Sequence, residues 1–322
     1  MRQSTIFDCL APSHDDRSTL PADTTPPEVF DLFCGAGGFS AGAAQAGCRI
    51  AFACDSDAEA LETHRRNHAG AVHRLMNLPS DDIPFPTDGR SFHVHGSPPC
   101  QQFSPANTLG RTAEKTANST HLIEWYLETA LSSNATSWSM EQVATGGVLQ
   151  IVERIRAQNP NAMAYGVFRF EELGVPQTRK RLIAGSPNLV AKLLRLRSKH
   201  NKRSAADVLQ VGRATHIRNA KAWTWTAKRF DGERVYSIFT GRAPEKSCTI
   251  SVSLPAPTVL TSCYLRWVWW VDGEPVYQQL SISDCKTLQT FPDDYHFPQK
   301  SNAAKRLIGN ALPPLVAKLL MG

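Results

Sequence analysis

Residues 28–55 read EVFDLFCGAGGFSAGAAQAGCRIAFACD. The apolar run EVFDLF predicts a strand, and the glycines at 35, 37 and 38 allow a tight turn and a close approach of the backbone to a ligand. The alanine-rich segment predicts a helix that ends at Gly47, and RIAFAC predicts a second strand before Asp55. This order is typical of nucleotide-binding βαβ units, in which Asp55 is placed to accept ribose hydroxyls.

The same turn departs from the dinucleotide-binding fingerprint. Ser40 occupies the third glycine position of G-x-G-x-x-G, which argues against a dehydrogenase. A single glycine-rich turn is also common in βα units that bind no nucleotide, so this stretch alone leaves the ligand open.

Further strands are predicted at 92–96, 135–143, 161–168 and 181–186, with helices near 119–133 and 147–158. This alternation predicts a parallel, doubly wound α/β sheet whose ligand lies beyond the carboxyl ends of the strands. Chemically informative residues follow or end these strands: Gly35, Asp55, Cys100 and Glu141.

Cys100 lies in the segment GSPPCQQFS (96–104). Pro98 and Pro99 stiffen the backbone before it, and the preceding FHVHG is strand-like. A cysteine held where a strand enters a polar loop is well placed to act as a nucleophile. A free cysteine in a tight turn is the alternative interpretation of this segment alone.

The net charge of the 322 residues is +6, and it is unevenly distributed. Residues 186–250 contain 14 Lys and Arg and four acids, a net charge of +10, so the remainder carries −4. Aromatic residues are interleaved with these charges: Trp223, Trp225, Phe230, Tyr236 and Phe239. Cations and stacking surfaces together favour contact with nucleic acid over a merely solvated basic face.

Composition excludes other classes of protein. No apolar run reaches membrane-spanning length, and the eight cysteines show neither a C-x-x-C pair nor zinc-ligand spacing, so we expect no metal site. Residues 1–26 are predicted to be a flexible leader without a signal-peptide core, which favours a reduced intracellular protein.

Seven segments carry a more specific pattern: DLFCGAGGFS (31–40), GSPPCQQFS (96–104), MEQV (140–143), GVPQTRKRLIAGS (174–186), LPAPTVLT (254–261), LSISDCKTLQTFPDDYHF (280–297) and RLIGNALPPLVAKLL (306–320). In content and order they resemble the motifs of the cytosine-C5 methyltransferase family. The resemblance implies a Rossmann-like methyltransferase sheet with a small, basic target-recognition region inserted near the C-terminus. It places a catalytic and cofactor-binding domain at 27–186, completed by 281–322, and the target-recognition region at 187–280.

The resemblance also assigns site residues. It implies catalysis by Cys100, Glu141, Arg179 and Arg181. It implies binding of S-adenosylmethionine by Phe33, Gly35, Ala36, Gly37, Gly38, Asp55, Asn77, Pro98 and Asn310. It implies nucleic-acid contacts by Gln101, Ser104, Arg111, Gln177 and the basic segment that includes Lys221, Lys228 and Arg229, and it makes 101–119 a mobile loop that closes over the base.

Two positions depart from the family pattern. Gln142 stands where the family usually has an asparagine that braces the cysteine loop, so we expect slower chemistry. Asn77 stands where an acid usually contacts the adenine amino group, unless Asp81 or Asp82 serves instead.

The implied function is transfer of a methyl group to C5 of a flipped cytosine in a short site of double-stranded DNA, through a covalent bond between Cys100 and C6. We expect a cytoplasmic monomer of a prokaryotic cell or phage-infected host, with a cognate restriction endonuclease as a possible partner. Two alternatives stay open: a tRNA methyltransferase, although KSCTI (246–250) lacks the phenylalanine of that branch, and a weakly active DNA-binding regulator.

Overall fold

The computed structural model describes residues 26–80, 82–99, 103, 112–197, 202–209, 218–219, 235–238, 248–262, 265–271 and 274–322. The predicted leader, 1–26, therefore lies outside the described residues except for Pro26.

The first eight strands of the described chain are β1 (Glu28–Leu32), β2 (Ile50–Asp55), β3 (Val72–Leu75), β4 (Phe92–Gly96), β5 (Ser137–Gln142), β6 (Ala164–Arg169), β7 (Gln177–Thr178) and β8 (Lys180–Gly185). All but β7 form one sheet in the order β3-β2-β1-β4-β5-β8-β6. Strand β3 has no counterpart in the prediction, because its four residues VHRL are half polar and mostly exposed, too short a run to show a strand pattern.

The sheet is mixed, so the prediction of a parallel sheet is wrong for its last strands. Strands β3, β2, β1, β4 and β5 are parallel to one another, but β8 is antiparallel to both β5 and β6. A parallel crossover needs a dozen or more residues. The chain instead folds back through a 3₁₀ turn (Phe170–Leu173), where the Phe170 N–H donates to the Arg179 carbonyl at 2.9 Å.

Helices cover both faces of the sheet: α1 (Gly38–Gln45), α2 (Ala58–Asn67), α3 (Ala113–Ser132), α4 (Gly146–Gln158), α5 (Pro187–Leu196), α6 (Ile282–Leu288), α7 (Ser301–Asn310) and α8 (Pro314–Met321). Helices α3 and α4 bury Ile123, Tyr126 and Val152 in one core. The other core joins α1, α5 and α8 through residues such as Phe39 and Leu193.

Helix α3 begins earlier than predicted, so the end of the expected mobile loop is helical. The Thr112 side chain caps the helix by accepting from the Lys115 N–H at 3.2 Å. Residues 113–115, AEK, are strong helix formers, and they extend the helix into the stretch assigned to the loop.

Helix α5 also shifts a predicted boundary. The target-recognition region was expected to begin at 187, but α5 buries Val190 and Leu193 in the core that contains Leu320 of α8. An amphipathic helix that follows β8 directly can bury its apolar face only against the sheet it has just left. Residues 187–196 therefore pack on the large sheet and are part of the catalytic domain.

The expected target-recognition region contains a second sheet, which is antiparallel. Its described strands are β9 (Arg218–Asn219), β10 (Val235–Ile238), β11 (Cys248–Ser251), β13 (Leu265–Val271) and β14 (Glu274–Gln279), in the order β11-β10-β13-β14-β9. The short β12 (Ala256–Pro257) instead pairs in parallel with β7. Trp267 and Leu265 pack with Cys285 of α6 and Ile308 of α7, which joins this region to the C-terminal helices.

Helix α1 touches the C-terminal segment at backbone distance. A Cβ atom on Gly38 would lie 2.2 Å from the Leu312 carbonyl oxygen, and one on Gly42 would lie 2.0 Å from that of Pro314. Because no side chain fits there, the glycines of GGFSAG allow the two ends of the described chain to meet.

We expect Gly42→Ala to lower the free energy of unfolding by about 2–3 kcal/mol, because the added methyl group overlaps backbone that cannot move without shifting α8. The matched control is Gly146→Ala, since a Cβ at that first position of α4 meets nothing within 4 Å. Urea denaturation of both variants measures the difference, and equal stabilities would contradict the close packing described here.

Candidate active site

The turn between β1 and α1 has an unusual backbone. Gly35 and Gly37 have φ values of +54° and +90°, and Phe33 adopts +57°, a left-handed conformation that costs a non-glycine residue about 1–2 kcal/mol. The half-buried Phe33 ring meets Trp125 of α3 edge-on, with a centroid distance of 6.2 Å. Sequence reasoning did not single out Trp125, because an aromatic residue within a helix usually belongs to the core.

Asp55 holds this turn in place. Its Oδ2 accepts from the Gly35 N–H at 2.8 Å, and its Oδ1 accepts from the Asp57 N–H at 2.9 Å. Burial raises the pKa of this carboxyl group, while the backbone bonds oppose the rise. Each carboxylate oxygen keeps a second lone pair, so the residue can still accept the ribose hydroxyls expected from the sequence.

A tyrosine from the C-terminal motif braces the other side of the turn. The Tyr295 hydroxyl donates to the carbonyl of Ala36 at 2.5 Å and lies 3.2 Å from Nε2 of His68. A Cβ on Gly37 would lie 2.5 Å from this hydroxyl. The sequence offered one signal for Tyr295, its place in the motif FPDDYHF, but no signal for its contact with residues more than 250 positions away.

Beneath the turn lies a buried polar chain that sequence reasoning also missed. Ser40 donates to Asp31 Oδ2 at 2.6 Å, and its hydroxyl is 3.0 Å from Nε2 of His64. Nδ1 of His64 is in turn 2.8 Å from Nε2 of His73. Ser40, the residue that breaks the dinucleotide fingerprint, therefore ties the start of α1 to β1 and α2.

Burial sets the protonation of this chain. It raises the pKa of Asp31 to about 7 and lowers that of His68 to about 4. It also lowers the pKa of His64 well below its ordinary value, with the neighbouring imidazoles of His68 and His73 acting in the same direction. The imidazoles are therefore neutral near pH 7.

The other residues expected to bind the cofactor lie around the same edge of the sheet. Asn77 is exposed after β3, Pro98 is buried after β4, and Asn310 is the exposed last residue of α7. Of the two alternative acids, Asp82 is exposed beyond β3, and Asp81 lies outside the described residues.

Glu141 and Arg181 form an ion pair at the carboxyl end of β5. Arg181 Nε lies 2.8 Å from Glu141 Oε1, and both side chains are largely buried. The two residues come from adjacent antiparallel strands, where Glu141 pairs with Ile183. The structure thus brings together a carboxyl group and a guanidinium group, a contact that the sequence analysis did not predict.

Gln142 makes the brace expected of the family's asparagine. Its Nε2 donates to the Pro98 carbonyl at 3.0 Å, and its Oε1 accepts from the Val143 N–H at 2.7 Å. The longer side chain therefore reaches the segment before Cys100 from a fully buried position. This geometry removes the structural reason for expecting slower chemistry.

The side chains of Arg179 and Gln177 are buried and bind backbone groups. The Arg179 guanidinium donates to the carbonyls of Gly309 at 3.1 Å and Val259 at 3.4 Å. Gln177 donates to the Leu288 carbonyl at 2.8 Å and accepts from the Val259 N–H at 3.0 Å. Gln177 is 0 % exposed, so the prediction that it contacts nucleic acid is corrected to a bracing role. For Arg179 a direct catalytic role stays a prediction.

Several predicted residues lie outside the described part of the chain: Cys100, Gln101, Ser104, Arg111, Lys221, Lys228 and Arg229. Within the described residues, no cluster of His, Cys, Asp and Glu could hold a metal ion, and no helix is long and apolar enough to cross a membrane.

Comparison with known proteins identifies the family of this chain. The family model for C-5 cytosine-specific DNA methylase matches residues 28–144 and 148–322. The chain belongs to this family. It is 26% identical over 321 residues to the Type II methyltransferase M1.HphI of Haemophilus parahaemolyticus, covering 90% of this chain and 84% of the relative. It is also 26% identical to the Type II methyltransferase M.HgiDI of Herpetosiphon aurantiacus, covering 91% and 92%.

A solved structure supports the fold. The Dnmt2 methyltransferase of S. pombe superposes with a TM-score of 0.62 at 12% identity, covering 91% of this chain and 96% of that one. The expected family, the Rossmann-like methyltransferase fold and the enzymatic activity, methylation of cytosine C5 in DNA, are confirmed.

We expect the free energy of unfolding of this methylase to fall on acidification. The reason is that burial lowers the pKa values of the imidazoles in the folded protein, so the unfolded chain binds protons that the folded protein does not. His68 alone accounts for roughly 3 kcal/mol by pH 4, and the loss develops between pH 6.5 and about 4. Asp31 acts in the opposite direction. Its raised pKa adds stability that is complete below pH 3.8 and is lost as the pH rises through about 7.

Urea denaturation between pH 8 and pH 4.5 measures the effect. His68→Asn should lose less stability over this range than the unmodified protein, whereas His121→Asn, at an exposed site on α3, should lose as much. If the free energy of unfolding fell equally with pH in His68→Asn and in the unmodified protein, the lowered pKa of His68 would be contradicted.

Proposed function

We propose that this methylase transfers the methyl group of S-adenosylmethionine to C5 of a cytosine flipped out of double-stranded DNA, through a covalent bond between Cys100 and C6. The observation that carries the proposal is the buried ion pair of Glu141 and Arg181. It lies on the strand next to β4, which leads into the cysteine segment, and Gln142 ties the two strands' ends together.

The turn after β1 fits the cofactor. Its left-handed glycines let the backbone approach a ligand, and the half-buried Asp55 beside them offers carboxylate lone pairs to ribose hydroxyls. Phe33, with its strained backbone and half-exposed ring, offers a flat apolar surface to an adenine. When bound, S-adenosylmethionine supplies an electrophilic methyl group.

The reaction needs a nucleophile because C5 of cytosine is a weak carbon nucleophile. The Cys100 thiolate adds to C6, which breaks the ring conjugation and moves an electron pair to C5. C5 would then take the methyl group, and the electron pair of the broken carbon–sulfur bond would stay with the sulfur of S-adenosylmethionine. Water or hydroxide removes the C5 proton, and the returning electron pair expels the thiolate and restores the double bond.

Glu141 and Arg181 stabilise the charge that develops on the ring. Once Glu141 has taken a proton from solvent, its carboxyl group protonates or hydrogen-bonds N3, which makes addition at C6 easier. Arg181 pairs with Glu141 through Nε and donates from Nη1 to the Lys180 carbonyl at 2.8 Å, so Nη2 is the group that donates to the cytosine carbonyl. The pair is buried, so its charge acts in a medium that screens less than water.

The names of the relatives also support a place in restriction and modification, since both are Type II methyltransferases. The proposal includes action as a monomer in the cytoplasm of a prokaryotic cell or phage-infected host, with a restriction endonuclease that recognises the same site as partner.

The first experiment measures transfer of a labelled methyl group from S-adenosylmethionine to duplex DNA and, separately, to total tRNA. We expect label at C5 of cytosine in DNA, none in tRNA, and loss of transfer in Cys100→Ser, because serine is a far poorer nucleophile toward C6. Label in tRNA alone would mean that the substrate is tRNA and not DNA. Unchanged transfer by Cys100→Ser would exclude the covalent mechanism.

We expect Glu141→Gln to lower kcat by about 10²–10⁴-fold, because an amide neither protonates N3 nor pairs with Arg181 as a carboxyl group does. The measurement is steady-state methyl transfer, together with the Kd for S-adenosylmethionine, which should change less than twofold. The matched control is Glu128→Gln, at an exposed position on α3. A loss of similar size in both variants would argue against the role of Glu141.

A further inference from the structure

A ladder of five side chains runs beneath α1, across strands β4 and β5. The Ser137 hydroxyl lies 2.8 Å from Nδ1 of His93, and the Ser139 hydroxyl lies 2.9 Å from Nε2 of the same ring. The Ser139 hydroxyl is also 2.9 Å from Nδ1 of His95, and Nε2 of His95 is 3.1 Å from the Ser97 hydroxyl. The ladder ends at Ser97, three residues before Cys100 in the sequence.

The ladder is rigid for two reasons. His93, His95 and Ser139 are at most 1% exposed, and the Phe39 ring stacks on His95 with a centroid distance of 3.7 Å and an interplanar angle of 2°. Burial lowers the pKa of His93 to about 3 and that of His95 well below its ordinary range, so both rings are neutral in the working range of pH.

Because both imidazole rings are neutral, the hydrogen bonds of the ladder all donate in the same direction along it. The Ser139 hydroxyl has one hydrogen, so it donates to one imidazole and accepts from the other. Each imidazole in turn donates from one nitrogen and accepts at the other. The bond between His95 and Ser97 is therefore coupled to the bonds behind it, and hydrogen bonds in such a chain strengthen one another.

The Ser97 end of the ladder adjoins the site of the reaction proposed above. The Ser97 N–H lies 3.4 Å from the carbonyl oxygen of Leu32, the residue before the cofactor turn, and Pro98 accepts from Gln142. The short segment before Cys100 is therefore held by a backbone bond, a bond to Gln142 and the bond between Ser97 and His95.

We infer that His95 and Ser97 are positioning residues for the chemical step: the ladder fixes the segment from which the cysteine extends and so sets where its sulfur meets the base. This inference rests on the proposed function. A misplacement of about 1 Å at a reacting group can cost up to 10²-fold in rate, so the loss of one such restraint has a measurable effect.

The test compares two serines at opposite ends of the ladder. Ser97→Ala removes the bond nearest the cysteine, and Ser137→Ala removes a bond of the same kind at the far end. We expect Ser97→Ala to lower kcat, and the rate of covalent trapping by DNA containing 5-fluorocytosine, about tenfold relative to Ser137→Ala. The Kd values for S-adenosylmethionine and DNA should agree within twofold, and Ser97→Thr, which keeps the hydroxyl, should recover most of the rate.

The other outcomes overturn the inference. Equal kcat values for the two alanine variants would leave the ladder a purely structural feature. A loss confined to the Kd for S-adenosylmethionine would move its role to the cofactor site. A tenfold loss matched by a lower Tm in Ser97→Ala than in Ser137→Ala would be a stability effect. An unmodified protein without methyl transfer would overturn the proposed function as well.

Discussion

Helix α1 packs against the C-terminal segment at backbone distance, and this contact brings the two ends of the described chain together. At Gly38 the helix backbone lies against Leu312 before α8, at Gly42 it lies against Pro314 and Lys318 of α8, and no side chain fits between them. This contact places α7 and its link to α6 over the turn after β1, so that Tyr295 reaches Ala36. The edge of the sheet that we propose binds the cofactor is thus built from residues at both ends of the described chain.

Below that contact, the face of the sheet under α1 is polar where an apolar core would be the ordinary solution. Asp31 pairs in register with His95, and His95 with Ser139, so three polar residues lie side by side. Buried polar groups cost free energy unless they are bonded, and here Ser40 and Ser97 supply partners. Such a network has few alternative arrangements, which makes it a precise support for a site.

The candidate active site combines one ion pair with hydrogen bonds to backbone carbonyls. Glu141 and Arg181 form a buried pair, whereas Arg179 binds carbonyls and Gln177 links β7 to α6. The motif QTRKR thus serves two purposes: its last arginine faces the carboxyl group, and its first residues brace the junction with the second sheet. Gln142 shows that a longer amide can make the contact expected of an asparagine.

The family, the chain positions of most strands of the large sheet and the placement of Asp55 and Glu141 at strand ends could be predicted from the sequence, because these depend on local motifs and on the rule that strand ends meet at one edge. The ion pair between Glu141 and Arg181 could not, because it depends on which strand lies beside β5. The sequence could not determine that β8 runs antiparallel, that α5 packs on the large sheet, or that Gln177 is buried. It also gave no signal for the histidine ladder, since FHVHG is compatible with any strand. These features follow from the tertiary structure, because strand register and packing bring together residues that are dozens to hundreds of positions apart. The role of a side chain then depends on the partner that it contacts.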